Sequence, residues 1–372
     1  MGLQIVDGHC HIFPPLSGAS GFPDQATHRL HQQRAMHMHG NQPYRRLSDH
    51  AIVSERMLWD ANDPSEAGRA TDVAFAPGKN GRMEWEKAGE RYYVQFLPPY
   101  MQDLAAPADV IVAQMDYAGV AVSILQNDHI YGNLAETFAS AGERHPGRFI
   151  GLAQVEEAFA YRDDQIAALH NQVSKLGMAG LYFTTTGLFR SGYKPLHDDR
   201  LYDLFWQEVE RLSLPVFWVQ SARSPVGNYV DEMQCLLRLM ERFPKLRHVL
   251  VHGVPTALYT DPDGKVALPD IVDTVMRSGL VWSELLYPIA WGGKEAYPYT
   301  RAAGQFRQMF DAYGPDRFIW GSDMPNVERY CTYRQSLGYA WDHFDFLDEK
   351  ARVAIFRENA LGLFEREPIL GG

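Results

Sequence analysis

Strict alternation of short apolar runs with helix-length segments constrains this 372-residue chain more than any other feature. Runs of strand type occupy Leu3–Val6, Val120–Gln126, Phe149–Val155, Ala179–Thr184, Pro215–Gln220, His248–His252, Leu280–Leu285 and Phe318–Trp320. Between and after them, helical patterns cover Ala108–Gly119, Leu134–Arg144, Arg162–Leu176, Leu201–Leu212, Tyr229–Arg242, Leu268–Ser278, Thr300–Tyr313 and Glu349–Phe364. Gly119 and Gly177 sit where helices stop, as glycine does in the left-handed position past a helix end. Buried strands regularly spaced by helices form parallel sheets, and eight of them close into a (β/α)8 barrel, the TIM-barrel architecture. An open doubly wound sheet would call for a phosphate-binding turn, and neither GxGxxG nor a P-loop occurs in the sequence. The expected architecture is one barrel domain over residues 1–372.

The first strand and the second are separated by residues 12–104, a long polar stretch that reads as an insertion. It opens loop-like at Pro14-Pro15-Leu16-Ser17-Gly18 and carries His28, His31, His37, His39 and His50. Within it, residues 82–97 read as a β-hairpin turning at Ala88-Gly89. Following strand one, such an insertion is expected to overhang the barrel mouth as a lid or to reach a neighbouring subunit. His37-Met38-His39 lacks a strand signature and reads as a solvated or substrate-facing loop. A formal net charge of −11 without long basic runs argues against nucleic acid or an anionic membrane as partner. No apolar stretch reaches the ~20 residues of a membrane span, and no secretory signal pattern is present. Cys10, Cys235 and Cys331 are too scattered for a disulfide framework, so a reducing cytoplasm is expected.

A barrel gathers its chemistry where strands end at the C-terminal face. The first strand runs into Asp7-Gly8-His9-Cys10-His11, where alternation turns His9 and His11 to one face and Cys10 to the other. Two imidazoles on one face can share a divalent metal. The fifth strand gives Gln220, Ser221 and Arg223, the sixth His252, the seventh Glu284 and the eighth Asp323. A lone polar strand end is most often a structural hydrogen-bonder. Four strands of one barrel ending in His, His, Glu and Asp point instead to a shared site.

These pieces together resemble the amidohydrolase superfamily, in its amidohydrolase-2 branch of decarboxylases, hydratases and lactone hydrolases related to aminocarboxymuconate-semialdehyde decarboxylase. The resemblance rests on Val6-Asp7-Gly8-His9-Cys10-His11, Asp198–Glu208 before Leu214-Pro215-Val216, Val251-His252-Gly253, Gly321-Ser322-Asp323-Met324-Pro325 and Glu358–Phe364. It implies a divalent metal, zinc first and manganese second, held by His9, His11 and Asp323. It also implies proton transfer by Asp323 and a water-activating or substrate-polarising role for His252. One position departs: relatives place a third ligand histidine at the end of strand five, where this chain has Val219 followed by Gln220. Valine cannot bind metal and an amide oxygen is a weaker, neutral ligand, so metal is expected to be held weakly or to be absent.

The implied chemistry is hydrolysis of a small cyclic or aromatic-derived carboxylate at a lactone, amide or ring C–C bond. Non-oxidative decarboxylation on the same site, metal-independent lactone hydrolysis, and a barrel subunit without catalysis are the alternatives. Arg223 and Arg190 are expected to clamp a small anionic substrate, with Glu284 and Gln220 also contacting it. Phe13, Trp218, Tyr287 and Trp291 would suit a ring, and a homodimer or higher homo-oligomer is expected.

Overall fold

The computed structural model describes residues 3–39, 42–220, 227–286 and 295–364. Eight parallel strands follow one another in the order β1 (Ile5–Cys10), β7 (Val120–Leu125), β8 (Phe149–Ala153), β9 (Gly180–Thr184), β10 (Val216–Val219), β11 (His248–Leu250), β12 (Val281–Leu285) and β13 (Phe318–Trp320). A parallel bridge between Cys10 and Met324 brings the last strand back to the first. Helices α2 (Ala108–Ala118), α3 (Ala135–Arg144), α4 (Asp163–Leu176), α5 (Asp203–Arg211), α6 (Tyr229–Arg242), α7 (Asp270–Arg277) and α8 (Thr300–Tyr313) connect the strands, and α9 (Tyr333–Trp341) follows β13. This is the TIM barrel expected from the alternation. Its terminal helical segment is broken, with a π-helical turn over Ala354–Glu358.

Alternation along each strand separates two cores. Val6, Ile124, Leu152, Tyr182, Phe217, Val249 and Ile319 share one cluster inside the barrel, joined by Ala360 and Leu363 of the C-terminal turn. Their strand neighbours, such as Ile5, Leu125, Leu181, Trp218 and Leu250, belong to the larger cluster between sheet and helices. In β10 this phase puts Phe217 and Val219 on the barrel side and Trp218 on the helix side.

β1 carries a bulge that resets its phase before the site. Asp7 pairs with Ser123 and Cys10 with Leu125, three steps against two. Val6 therefore faces inward, Asp7 outward, and Cys10 outward again, leaving His9 and His11 to the barrel side. Gly8 makes room for this close approach, since a Cβ there would lie 2.6 Å from Ile319 Cγ2. Asp7 anchors the arrangement: its Oδ1 accepts from the backbone N–H of His9 (3.0 Å) and of Ser322 (2.9 Å). Its Oδ2 accepts from Ser322 Oγ (2.5 Å) and Tyr333 Oη (2.6 Å). Burial pushes the Asp7 carboxyl up to about 6 against the pull of these donors.

Between β1 and β7 lies a five-stranded antiparallel sheet ordered β3 (Ile52–Val53), β2 (Tyr44–Arg46), β6 (Glu90–Gln95), β5 (Arg82–Lys87) and β4 (Ala76–Pro77). Residues 14–18 carry neither helix nor strand, as read, but Gln25–Met38, for which the sequence shows no helical signature, forms a helix, α1, capped by Asp24 on Thr27. The sequence hides α1 because its buried side is polar, including His28, His31, Gln32, Gln33 and Arg34. Backbone carbonyls satisfy much of that side: Gln32 Nε2 donates to Leu16 O (2.9 Å) and Gln33 Nε2 to Leu58 O (2.9 Å) and Ala70 O (2.7 Å). An amphipathic signature needs an apolar stripe, and α1 lacks one.

Replacing Asp7 by alanine would take the shared acceptor from four buried donors, leaving the His9 and Ser322 backbone N–H groups unpaired while Ser322 Oγ keeps His9 O and Tyr333 Oη keeps Ser123 Oγ. At roughly 1–3 kcal/mol per unsatisfied group, a loss of about 3 kcal/mol is expected in urea unfolding. A loss below 1 kcal/mol would contradict the anchoring role.

Candidate active site

The inward side chains of β1 meet the loop after β13. His9 Nε2 and His11 Nε2 are 3.0 Å apart, and Asp323 Oδ1 lies 3.0 Å from His11 Nε2 and 3.5 Å from His9 Nε2. Asp323 is reached in a left-handed backbone conformation, φ 59°, with its N–H donating to His9 O (2.8 Å). Asn326 Nδ2 holds Asp323 Oδ1 from the other side at 2.7 Å and also meets Tyr131 Oη. His252, likewise at positive φ (63°), follows the end of β11, and its ring stacks 5.2 Å from that of His9.

The outer nitrogens settle what the inner ones present. His9 Nδ1 lies 2.8 Å from Glu284 Oε2, and His11 Nδ1 lies 2.9 Å from the carbonyl of Gln126. Both partners only accept, so each Nδ1 carries a proton, and in its neutral form each imidazole turns the lone pair of Nε2 toward the other. Asp323 Oδ1 adds a third electron-rich atom. Three such atoms within 3.5 Å repel unless a proton on His9 or a metal ion joins them, and bonds of ~2.0–2.1 Å to one metal would place ligands about that far apart. The outer partners are also those that metal-binding histidines use, a carboxylate and a backbone carbonyl. The residues therefore fit a divalent metal. His9, His252 and Asp323 also form a candidate triad, with ligand atoms all within 4.8 Å of one another, which adds His252 to the donors read from the sequence.

Charge follows the same geometry. Burial disfavours a charged His9, but Glu284 and Asp323 outweigh it and carry the imidazole up to about 9. Burial would raise Asp323, yet the charges of His9, His11 and His252 hold it well below the usual carboxylate range. Burial and the neighbouring charge of His9 press His252 down.

A cavity of about 490 Å³ opens over this cluster, within the range of small-molecule sites. It is lined by His9, His11, His252 and Asp323, and aromatic side chains Phe96, Tyr131 and Tyr182 wall it. At the strand-five position Val219 faces the barrel side, with Gln220 beyond it. Gln220 lines the cavity with neither side-chain amide atom hydrogen-bonded among the described residues.

Two expected substrate contacts are placed otherwise. Glu284 uses both oxygens on the protein: Oε2 meets His9 and accepts from the His252 backbone N–H (2.8 Å), and Oε1 accepts from Gln126 Nε2 (2.6 Å). It orients ligands rather than lining the cavity. Arg190 pairs with Glu66 (2.7 Å) and Glu156 (3.4 Å) and is not part of the lining. Arg223, Ser221, Tyr287 and Trp291 lie outside the described residues.

The lining arginines are instead Arg34 of α1 and Arg329 beyond Asn326, with His31, His39 and His129. His37-Met38-His39 reads in sequence as a solvated or substrate-facing loop, whereas His37 and Met38 close α1 and His39 caps it while lining the cavity. Burial holds His39 at about 3, neutral, and it feels the charges of Asp323 and His252. Arg34 and Arg329 carried no motif, and neither sits at a strand end.

The family described as amidohydrolase matches residues 6–366. The chain belongs to this family, and it is an enzyme of that class. Among solved structures of similar fold, a probable 2-pyrone-4,6-dicarboxylic acid hydrolase from Acinetobacter baumannii, with citric acid bound, covers 97% of this chain and 99% of its own. Its identity is 15% and its TM-score 0.57. A putative 2-pyrone-4,6-dicarboxylic acid hydrolase from Pseudomonas putida covers 70% and 88% at 18% identity, TM-score 0.54. A 2,6-dihydroxybenzoate decarboxylase complexed with 2,6-dihydroxybenzoate covers 73% and 90% at 20% identity, TM-score 0.50. No curated protein sequence matches the chain.

If Glu284 orients His9, Glu284→Gln should weaken zinc affinity roughly 10–100-fold, the usual effect of losing such a partner, with little change in fold. Competition against a chromogenic chelator measures it, and unchanged affinity would contradict the assignment.

Proposed function

We propose that this amidohydrolase-family enzyme hydrolyses a small cyclic or aromatic-derived carboxylate, at a lactone, amide or ring C–C bond, with metal assistance. The observation that carries the reading is the convergence of His9 Nε2, His11 Nε2 and Asp323 Oδ1 within 3.5 Å beneath the cavity. His9, His11 and Asp323 would hold the metal, which would supply Lewis acidity toward a substrate oxygen and acidify water. Asp323, kept ionised by the surrounding imidazoles, accepts the proton of the attacking water and returns it to the leaving group. His252, beside His9 and Asp323, faces the growing oxyanion. Arg329 supports an anionic substrate: its Nη1 is buried without a partner and lines the cavity, and no carboxylate pairs with it among the described residues. The aromatic walls suit a planar ring.

Decarboxylation is the second reading, favoured by the fold shared with a dihydroxybenzoate decarboxylase. It needs a proton donor at carbon, and Asp323, ionised among the imidazoles, must take up a proton before it can serve as one. A panel of small carboxylated lactones, amides and aromatic acids, assayed for ring opening and for carbon dioxide release, separates the two. Hydrolysis without carbon dioxide is expected, with Asp323→Asn lowering kcat at least 10²-fold. Carbon dioxide release from an aromatic acid with no hydrolysis would overturn the hydrolytic reading.

The position facing the barrel at the end of β10 gives a second test. A histidine at Val219 would add a third imidazole, so Val219→His should tighten zinc at least tenfold, about 1.4 kcal/mol. If Gln220 serves in its place, Gln220→Ala weakens zinc instead. Unchanged affinity in both variants would remove strand five from the metal site.

A further inference from the structure

Away from the histidine–aspartate cluster, the same cavity has a second cationic wall for which the reaction above has no use. Its main element is Arg34 on α1, which is 1% exposed and lines the cavity. A guanidinium stays charged in any protein setting, and burying a charge without a counter-ion is costly. Arg34 nevertheless has no carboxylate partner among the described residues. Nη2 donates to Tyr193 Oη (3.0 Å), Nε has no partner, and the Trp59 ring lies 4.9 Å from its charge centre. The aromatic face offsets part of the cost, but it brings no negative charge.

The second element is His129, in the segment following β7. Its Nε2 lies 2.5 Å from Glu157 Oε2, a carboxylate fully buried at the base of the pair. Burial opposes the charged ring, and Glu157 outweighs it, bringing His129 up to about 9. With Nε2 committed to Glu157, the remaining N–H of the imidazolium is at Nδ1, which is buried without a partner among the described residues. His31 stacks on His129 at 4.6 Å and meets Phe189 edge-on at 5.5 Å, and Phe189 lies 5.8 Å from the Arg34 charge centre. Arg34, His31, His129 and Phe189 are thus one contiguous patch of the lining. Its electrostatic neighbours differ from those of the reactive cluster. His129 feels Glu157, Glu156 and Asp128, and His31 feels His129, Arg190 and His28, whereas His39 feels Asp323 and His252.

We infer that Arg34 and His129 form a second anion subsite, so that the substrate carries two anionic groups, one at the reacting end and one received by this patch. The inference rests on the proposed reading that His9, His11, His252 and Asp323 take the reacting end. A carboxylate at Arg34 supplies the missing counter-ion, and charge-assisted hydrogen bonds from guanidinium and imidazolium suit it. Arg34 and His129 then decide which acids bind without touching the reacting atoms.

The test uses the full chain supplied with zinc and two ligand series: straight-chain α,ω-dicarboxylates of four to eight carbons, and monocarboxylates of matching length. Calorimetric titration gives Kd for each. At least one dicarboxylate is expected to bind tenfold or more tightly than its matched monoacid. Arg34→Met and His129→Gln should each bring that ratio toward one while leaving monoacid Kd unchanged. Arg34→Lys, which keeps the charge and loses the planar fork, should fall between. A wild-type ratio near one at every length overturns the subsite whether or not any variant folds. Equal weakening of mono- and diacid in a variant whose melting temperature is unchanged also overturns it. His9→Asn separates the two readings. If it leaves monoacid binding intact, the assignment of the reacting end fails, while an Arg34-dependent dicarboxylate preference would still stand.

Discussion

One carboxylate ties the structure to its site. Asp7 receives backbone and side-chain donors from His9, Ser322 and Tyr333, so the first strand, the segment after the last strand and α9 share a single buried acceptor. Closing a parallel barrel joins the two strands farthest apart in sequence, at the place where hydrogen bonds are fewest. Here the backbone bonds from His11 N–H to Met324 O and from Asp323 N–H to His9 O span the seam, with Ser322 Oγ donating to His9 O. Asp7 reinforces that seam two residues from His9 and through the neighbour of Asp323. Barrel closure and convergence of the candidate ligands are therefore one event.

The bulge at Gly8 and the positive φ of His252 and Asp323 serve the same end. Each departs from regular strand geometry where a side chain must turn into the mouth, and non-glycine residues adopt such conformations only when their surroundings enforce them. Glu284 supplies part of that enforcement by holding His9 and the His252 backbone with one oxygen. Rigid support of this kind fixes the reacting geometry before substrate arrives.

The barrel was legible because strand and helix periods differ and alternate without interruption, and His9, His11, His252 and Asp323 because they end apolar runs. What the sequence could not show has physical causes. Glu284 reads as a polar strand end like the others, and only its two occupied oxygens reveal that it serves His9. Arg190 looks like a clamp until Glu66 and Glu156 are seen to hold it. Arg34 sits on a helix whose buried side is polar, so neither hydrophobic period nor motif marks it. The pairing of His129 with Glu157 joins residues of different loops, and its chemistry exists only once the barrel has brought them together.

Zinc-edge anomalous diffraction from crystals grown with zinc tests the central claim most directly. The account predicts one strong anomalous peak about 2.0–2.2 Å from His9 Nε2, His11 Nε2 and an Asp323 carboxylate oxygen. Zinc bound only elsewhere, such as between His37 and His39, or no peak at this point in a well-diffracting crystal, would contradict it.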